Sequence, residues 1–285
     1  MFSQLANIWR VHDLRNKLLF VVAMVAVYRM GVFIRVPGVD PIAIEQLRES
    51  AGQQGALGFL NLFSGGAFES FSIFALGIMP YITASIIMQV LGVVIPKLEE
   101  LQQEGAVGQR KITQYTRYVT IGLATLQSTG LVFIFGTGRG TAFFSAASAA
   151  PTVPLLPDGV WPRGYLIIPT LVAGTAVLMW MAELISQRGI GNGMSMIIFA
   201  SVVASLPGGF WSILQLNKVF WFVAMIVLTL AIIVAVVYVE LGQRRIPVQF
   251  AKRVVGRRMM GGQNTYIPLK VNQSGVIPII FASSI

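Results

Sequence analysis

Long apolar runs separated by short polar stretches dominate the chain, and their lengths set the elements. A helix needs about 20 mostly apolar residues to cross the hydrocarbon core of a bilayer. Runs of that kind lie at 17–35, 73–95, 115–136, 165–184, 190–208 and 219–239 and predict six transmembrane helices. The fifth is the weakest, being short and opening on Gly189-Ile190-Gly191-Asn192-Gly193. A seventh run begins near 272 and stops at Ile285, about a quarter short of a span. It reads as a helix cut within its length.

One run interrupts itself. From Phe59 to Ile95 a half-polar opening, with Ser64, Gly65, Gly66 and Glu69, leads straight into a membrane-length apolar stretch containing Pro80. Backbone that leaves the helix at membrane depth persists only where protein or water satisfies its polar groups. The opening is then either a short re-entrant plug or an amphipathic helix lying on the outer surface. Ile78, Ile82, Ile86 and Val90 recur every four residues and share a helix face. Such a stripe packs on lipid or a neighbouring helix, or it faces a conduit that bulky apolar side chains close by dewetting. Pro80 removes one backbone hydrogen bond and permits a bend there.

Composition places the whole chain in the membrane. Of 285 residues, 55% are hydrophobic and only 11% charged, and the mean hydropathy is +0.74. Soluble domains carry about a quarter charged residues. There are no cysteines, and the one histidine, His12, precedes the first span. Thiol chemistry is excluded, and no metal site, cofactor or catalytic constellation is expected. The first apolar run is too long for a signal peptide and ends at Arg35-Val36-Pro37 without a small-residue cleavage site.

Charge sets the orientation, because cytoplasmic loops gather Lys and Arg. Arg10, Arg15 and Lys17 place the N-terminus in the cytoplasm. Residues 36–72, outside by alternation, lean acidic with Asp40, Glu45, Glu49 and Glu69, and the outer 137–164 segment is nearly uncharged. The 96–114 loop returns inside with Lys97, Arg110 and Lys111, offset by Glu99, Glu100 and Glu104. The loop 241–270 is also inside; it holds Arg244, Arg245, Lys252, Arg253, Arg257, Arg258 and Lys270 and no acid. Anionic lipid attracts such a cluster by about 1 kcal/mol per basic residue near the surface. About 30 residues is longer than a hairpin needs, however, and arginines on a projecting loop also suit RNA phosphate or an acidic protein face.

Two further signals narrow the function. GIGNG at 189–193 follows a transmembrane run rather than a strand, so a tight turn between spans explains it better than a phosphate loop does. Arg29, Glu183 and Glu240 sit at span ends, within reach of the interface. No carboxylate lies near a midplane, which favours a passive conduit over an ion-coupled carrier. A broken-helix carrier of small solutes is the alternative.

The segments NLFSGGAFESFSIFALGIMPYITASIIMQVL, QRKITQYTRY, ISQRGIGNGMSMIIFA and GQRRIPVQFAKRVVGRR, followed by PLKVNQSGVIPIIFASSI, closely resemble the bacterial SecY family. The likeness runs from about residue 15 to 285 and breaks mainly across the outer loop 137–163. It implies an all-α polytopic membrane protein with a SecY-like helical bundle, the central subunit of a protein-conducting channel whose ten spans form two pseudo-symmetric halves. This chain would hold six full transmembrane helices, the start of a seventh and a short plug helix. Residues 1–16 would be a cytoplasmic segment. Residues 17–208 would form the N-terminal half, with the plug at about 59–72, and 209–285 would start the C-terminal half.

The resemblance also implies roles for residues. The plug would comprise Asn61, Phe63, Ser64, Gly65, Gly66 and Phe71. The pore ring would draw on Ile78 and Ile82, Met194 and Ile198, and Ile280, with Met194 where the family commonly has isoleucine. The lateral gate would pair Thr83 and Ile86 with Ile279 and Ser283. Arg244, Arg245, Lys252, Arg253, Arg257 and Arg258 would dock the ribosome, ribosomal RNA included, or the SecA motor. SecE and SecG subunits, translocating polypeptides, signal sequences and membrane lipids complete the implied partners. The implied location is the bacterial cytoplasmic (inner) membrane.

Overall fold

Among the residues placed in this computed structural model, 11–40, 64–136, 160–215, 219–248, 253–255, 258–260, 265–272 and 275, seven α-helices and four short strands are described. The helices are α1 (His12–Val32), α2 (Met79–Val94), α3 (Pro96–Gln103), α4 (Ala106–Gly136), α5 (Val160–Arg188), α6 (Gly193–Gln215) and α7 (Val219–Leu241). The strands are β1 (Gln243–Val248), β2 (Arg253–Val255), β3 (Arg258–Met260) and β4 (Thr265–Lys270).

Two helical stretches, Arg163–Arg188 within α5 and Phe220–Leu241 within α7, are long and apolar enough to cross a membrane on their own. A third candidate is the pair α2 and α3, which meet at a bend of 101°. Ile95 is extended at that corner and Pro96 begins α3, since proline disfavours helical backbone in the residue before it. The apolar part of α6, Gly193–Gly208, is shorter; α1 carries charges near both ends (Asp13, Arg15, Lys17 and Arg29), and α4 carries Arg110, Lys111 and Arg117 in its first half.

The expected helix 73–95 is regular only from Met79. Residues 65–71 and 73–78 run through consecutive turns, with Gly65, Gly66 and Gly77 at positive φ. Pro80 is the reason for the late start. It occupies the first turn of α2, where its missing N–H costs nothing, rather than bending a helix already under way. The turns are nonetheless paired: the N–H groups of Ala75, Gly77 and Tyr81 donate to the carbonyls of Ser72, Phe74 and Ile78.

The chain divides into two units, Met1–Gly208 and Gly209–Ile285. In the first, α5 packs along α4 and also meets α1, while α2 lies against α4. Two apolar clusters hold it together. One gathers Val36, Phe68, Phe71, Ala75, Val132, Ile167 and Leu171. The other joins α1, the turn segment, α5 and α6 through Val21, Tyr28, Phe74, Ile78, Leu178, Ile185 and Ile197. In the second unit, none of the apolar window of α7 is buried within the chain.

The basic loop is more ordered than its sequence suggests. β1 and β4 form an antiparallel ribbon in register from Gln243↔Lys270 to Val248↔Thr265, and β2 pairs with β3. The Val271 N–H donates to the Gly242 carbonyl, so the chain leaves the ribbon beside the point where it entered.

Candidate functional site

The segment 64–78 contributes to both apolar clusters of the first unit. A short antiparallel bridge, Arg35↔Ser72, joins it to the chain just after α1: Val36 N–H donates to the Phe71 carbonyl and Ile73 N–H to the Ile34 carbonyl. Phe71 adopts φ 45°, a left-handed conformation uncommon for a bulky residue, at the point where the chain turns into that bridge. The Ser64 hydroxyl oxygen accepts the Phe68 N–H at 3.1 Å, and the Ser72 hydroxyl donates to the Ala67 carbonyl at 3.2 Å. Local side chains thus satisfy backbone that no regular element pairs.

Helix α1 reaches into the same segment. The Tyr28 hydroxyl lies 3.1 Å from the Ser64 carbonyl and 2.7 Å from the Ser201 hydroxyl of α6. Arg29 Nη1 donates to the Gly65 carbonyl at 2.9 Å. Gly65 fits because a side chain there would crowd Ser201; an added Cβ would stand 3.0 Å from the Ser201 Cα. Arg29, at a span end within reach of the interface, has its guanidinium bonded to this turn. The sequence signal was a Tyr-Arg pair inside an otherwise apolar run.

Of the residues expected to form a ring, those described belong to or pack against the second apolar cluster. Ile78 is 2% exposed, in the core of the second cluster, and Ile82, Met194 and Ile198 pack partly buried against it. Ile280 lies outside the described residues. Along the α2 stripe, Ile86 is buried whereas Val90 is 54% exposed, so the stripe changes surroundings along its length. Of the gate residues, Thr83 is partly buried beside Ile86, while Ile279 and Ser283 lie outside the described residues. Of the plug residues, Ser64, Gly65 and Phe71 are buried and Gly66 partly so; Asn61 and Phe63 lie outside.

The sequence of residues 72–285 matches the SecY family pattern. The protein translocase subunit SecY of Streptomyces galbus is 51% identical over 290 residues, covering 100% of this chain and 65% of that protein. The chain belongs to the SecY family. It spans about 65% of the length of the curated relative it matches. The SecY fold is seen again in solved structures. A SecY protein whose plug domain stabilises the closed state of the translocation channel and maintains a membrane seal aligns with a TM-score of 0.59 and 22% identity. That alignment covers 95% of this chain and 55% of the other. Sec61 in the canine ribosome–channel complex from the endoplasmic reticulum aligns at 0.56 and 21%, covering 95% and 56%.

Membership in the SecY family gives the polar features of the second unit a context. Arg244 and Arg245 are exposed on β1, and the Arg245 guanidinium stacks over the Tyr266 ring at 4.8 Å. Arg253 and Arg258 belong to the paired strands β2 and β3, whereas Lys252 and Arg257 lie outside the described residues. The two span-end carboxylates, Glu183 in the first unit and Glu240 in the second, are engaged as well. Glu183 accepts a forked pair of bonds from Arg117, and Glu240 accepts from the Asn272 amide at 2.9 Å.

Proposed function

We propose that this chain is a subunit of a protein-conducting channel, passing unfolded secretory polypeptides across the cytoplasmic membrane and releasing apolar segments sideways into lipid. One observation supports the reading: Ile78 at the end of the turn segment lies in an apolar cluster against which Ile82 of α2 and Met194 and Ile198 of α6 also pack. Apolar side chains meeting at a waist exclude water and ions by dewetting, yet they adapt to any residue of a passing chain. Met194 suits such a gasket because its thioether is flexible. Ile280 would join the ring.

The segment 59–72 acts as the plug, covering the waist from outside. Thr83 and Ile86 form one side of a lateral gate, with Ile279 and Ser283 opposite. A segment at the open gate partitions into lipid when apolar enough, each such residue contributing about −0.3 to −0.6 kcal/mol at mid-membrane. The channel is passive and has no catalytic role, so a motor or ribosome supplies the energy. SecA and the ribosome dock on the basic ribbon, and SecE and SecG complete the complex. Six full spans and the start of a seventh cross the bacterial inner membrane from a cytoplasmic N-terminus, with 17–208 and 209–285 belonging to the two halves of the clamshell.

A charge in the waist tests this reading. Ile82→Asp, in the complete protein reconstituted into planar bilayers, is expected to raise resting ion conductance, because a carboxylate lets water wet the constriction. Unchanged leak would exclude Ile82 from the seal.

A further inference from the structure

We infer that Tyr28 and Arg29 of α1, together with Ser201 of α6, are positioning residues that latch the 64–72 segment in its seated conformation. This rests on the channel reading above and names the groups that set its resting state. Turn backbone at membrane depth exposes carbonyls that hydrocarbon cannot solvate. Two successive carbonyls at the start of this segment are met by donors from outside it: Ser64 faces the Tyr28 hydroxyl at 3.1 Å, and Gly65 accepts from Arg29 Nη1 at 2.9 Å.

The hydroxyl pair is a small network with countable protons. Tyr28 and Ser201 each have one proton to donate, across 2.7 Å. When Tyr28 gives its proton to the Ser64 carbonyl, Ser201 gives its own to Tyr28. When Tyr28 gives to Ser201, the serine proton goes to the Ile197 carbonyl at 2.9 Å. Only the first arrangement bonds the seated segment, so α6 completes a contact that α1 makes. Packing fixes the donors in place. The Tyr28 ring is 1% exposed and stacks on Phe74 at 5.8 Å. Gly31, one turn along α1, admits that phenylalanine, since an added Cβ would lie 2.1 Å from its ring. Release of the segment leaves a cation and a hydroxyl without these carbonyls, which makes the seated state the resting one.

Accessibility of the segment reads the latch directly. Residues 1–285 hold no cysteine; with any cysteine elsewhere in the complete protein replaced by serine, Ser70→Cys offers one thiol on the segment without touching the three latch side chains. In the complete protein in membrane vesicles, a water-soluble maleimide should label this thiol about tenfold faster when Arg29→Met or Tyr28→Phe is added, as loss of a charged or buried hydrogen bond implies. Tyr28→Phe keeps the ring on Phe74, and Arg29→Lys keeps a cationic donor and should restore most of the protection. Resting ion conductance should rise with the labelling rate. Unchanged labelling in both variants overturns the latch. So does acceleration by Arg29→Met that Arg29→Lys does not reverse while Tyr28→Phe is silent, since that marks general loosening. Faster labelling with no added conductance keeps the latch and sinks the channel reading beneath it.

Discussion

Glycine at position 174 stands where α5 passes the turn segment so closely that a Cβ would sit 2.0 Å from the Ile73 carbonyl oxygen and 2.8 Å from its carbon. The obstacle is backbone, which no rotamer change moves aside. Gly174→Ala therefore forces α5 and the segment apart, at about 1–3 kcal/mol, the usual range for overpacking. Gly122 is its control, because it too lies in a long helix but meets nothing within 4 Å. Gly122→Ala should be neutral or stabilising by up to about 1 kcal/mol through helix propensity. Thermal unfolding in detergent should show a lowered Tm for the first variant alone; equal Tm values would mean that the close approach does not matter. At this scale the sequence was partly legible. Paired glycines at 65–66 announced a turn, and both adopt positive φ. Gly174 gave no such sign, since a glycine admitting a distant carbonyl looks the same in sequence as one admitting lipid. Arg29 was visible as an ion in an apolar run, but its acceptor 36 residues away was not.

Among elements, a forked ion pair joins Arg117 of α4 to Glu183 of α5, whose side chains are 44% and 15% exposed. Two parallel N–H···O bonds fix both the rotation and the sliding of one helix against the other. The exposed guanidinium limits the worth of the pair, so a coupling of about 1 kcal/mol is expected. A double-mutant cycle with Arg117→Ala and Glu183→Ala measures it, using unfolding free energies in detergent, and strict additivity would refute the coupling. The same level shows where sequence patterning stopped. Apolar runs located every described helix except α3, which lies in the polar 96–114 loop, because length and hydropathy are local properties. The start of α2 depended on Pro80 being a first-turn residue rather than an interior one, and only the conformation of residues 73–78 decides between them. The ribbon was hidden by its own composition. Pro247 and Pro268 argue against strands, and Arg244-Arg245 reads as a solvated loop. In a two-stranded ribbon every strand is an edge, so both prolines are accommodated, opposite Tyr266 and Arg245.

For the molecule as a whole, the second unit combines an unburied apolar surface with a strongly basic one. Phe220–Leu241 is apolar and unburied within the chain, a state that water does not sustain. β1 begins two residues after α7 ends and returns through β4 to the Asn272–Glu240 bond, so the ribbon is tethered at both ends where the apolar helix stops. Strand alternation then sorts its side chains. Arg245, Pro247, Tyr266 and Pro268 share one face; Arg244, Ile246, Ile267 and Leu269 share the other. The two arginines thus project from opposite sides of a stiff element, which suits a partner that surrounds it better than a flat one. Ribosomal RNA and anionic lipid differ in that respect and in their response to salt. Each arginine that neutralises a nucleic-acid phosphate steepens the fall of log K with log salt by about one. If both arginines meet RNA, binding of the complete protein in nanodiscs to ribosomes should lose about two units of that slope in Arg244→Ala/Arg245→Ala. Loss of about one unit would assign RNA contact to a single face, and Arg245→Ala alone would show whether it is the face braced by Tyr266. An unchanged slope, with weaker binding to anionic vesicles, would make the ribbon a lipid anchor instead.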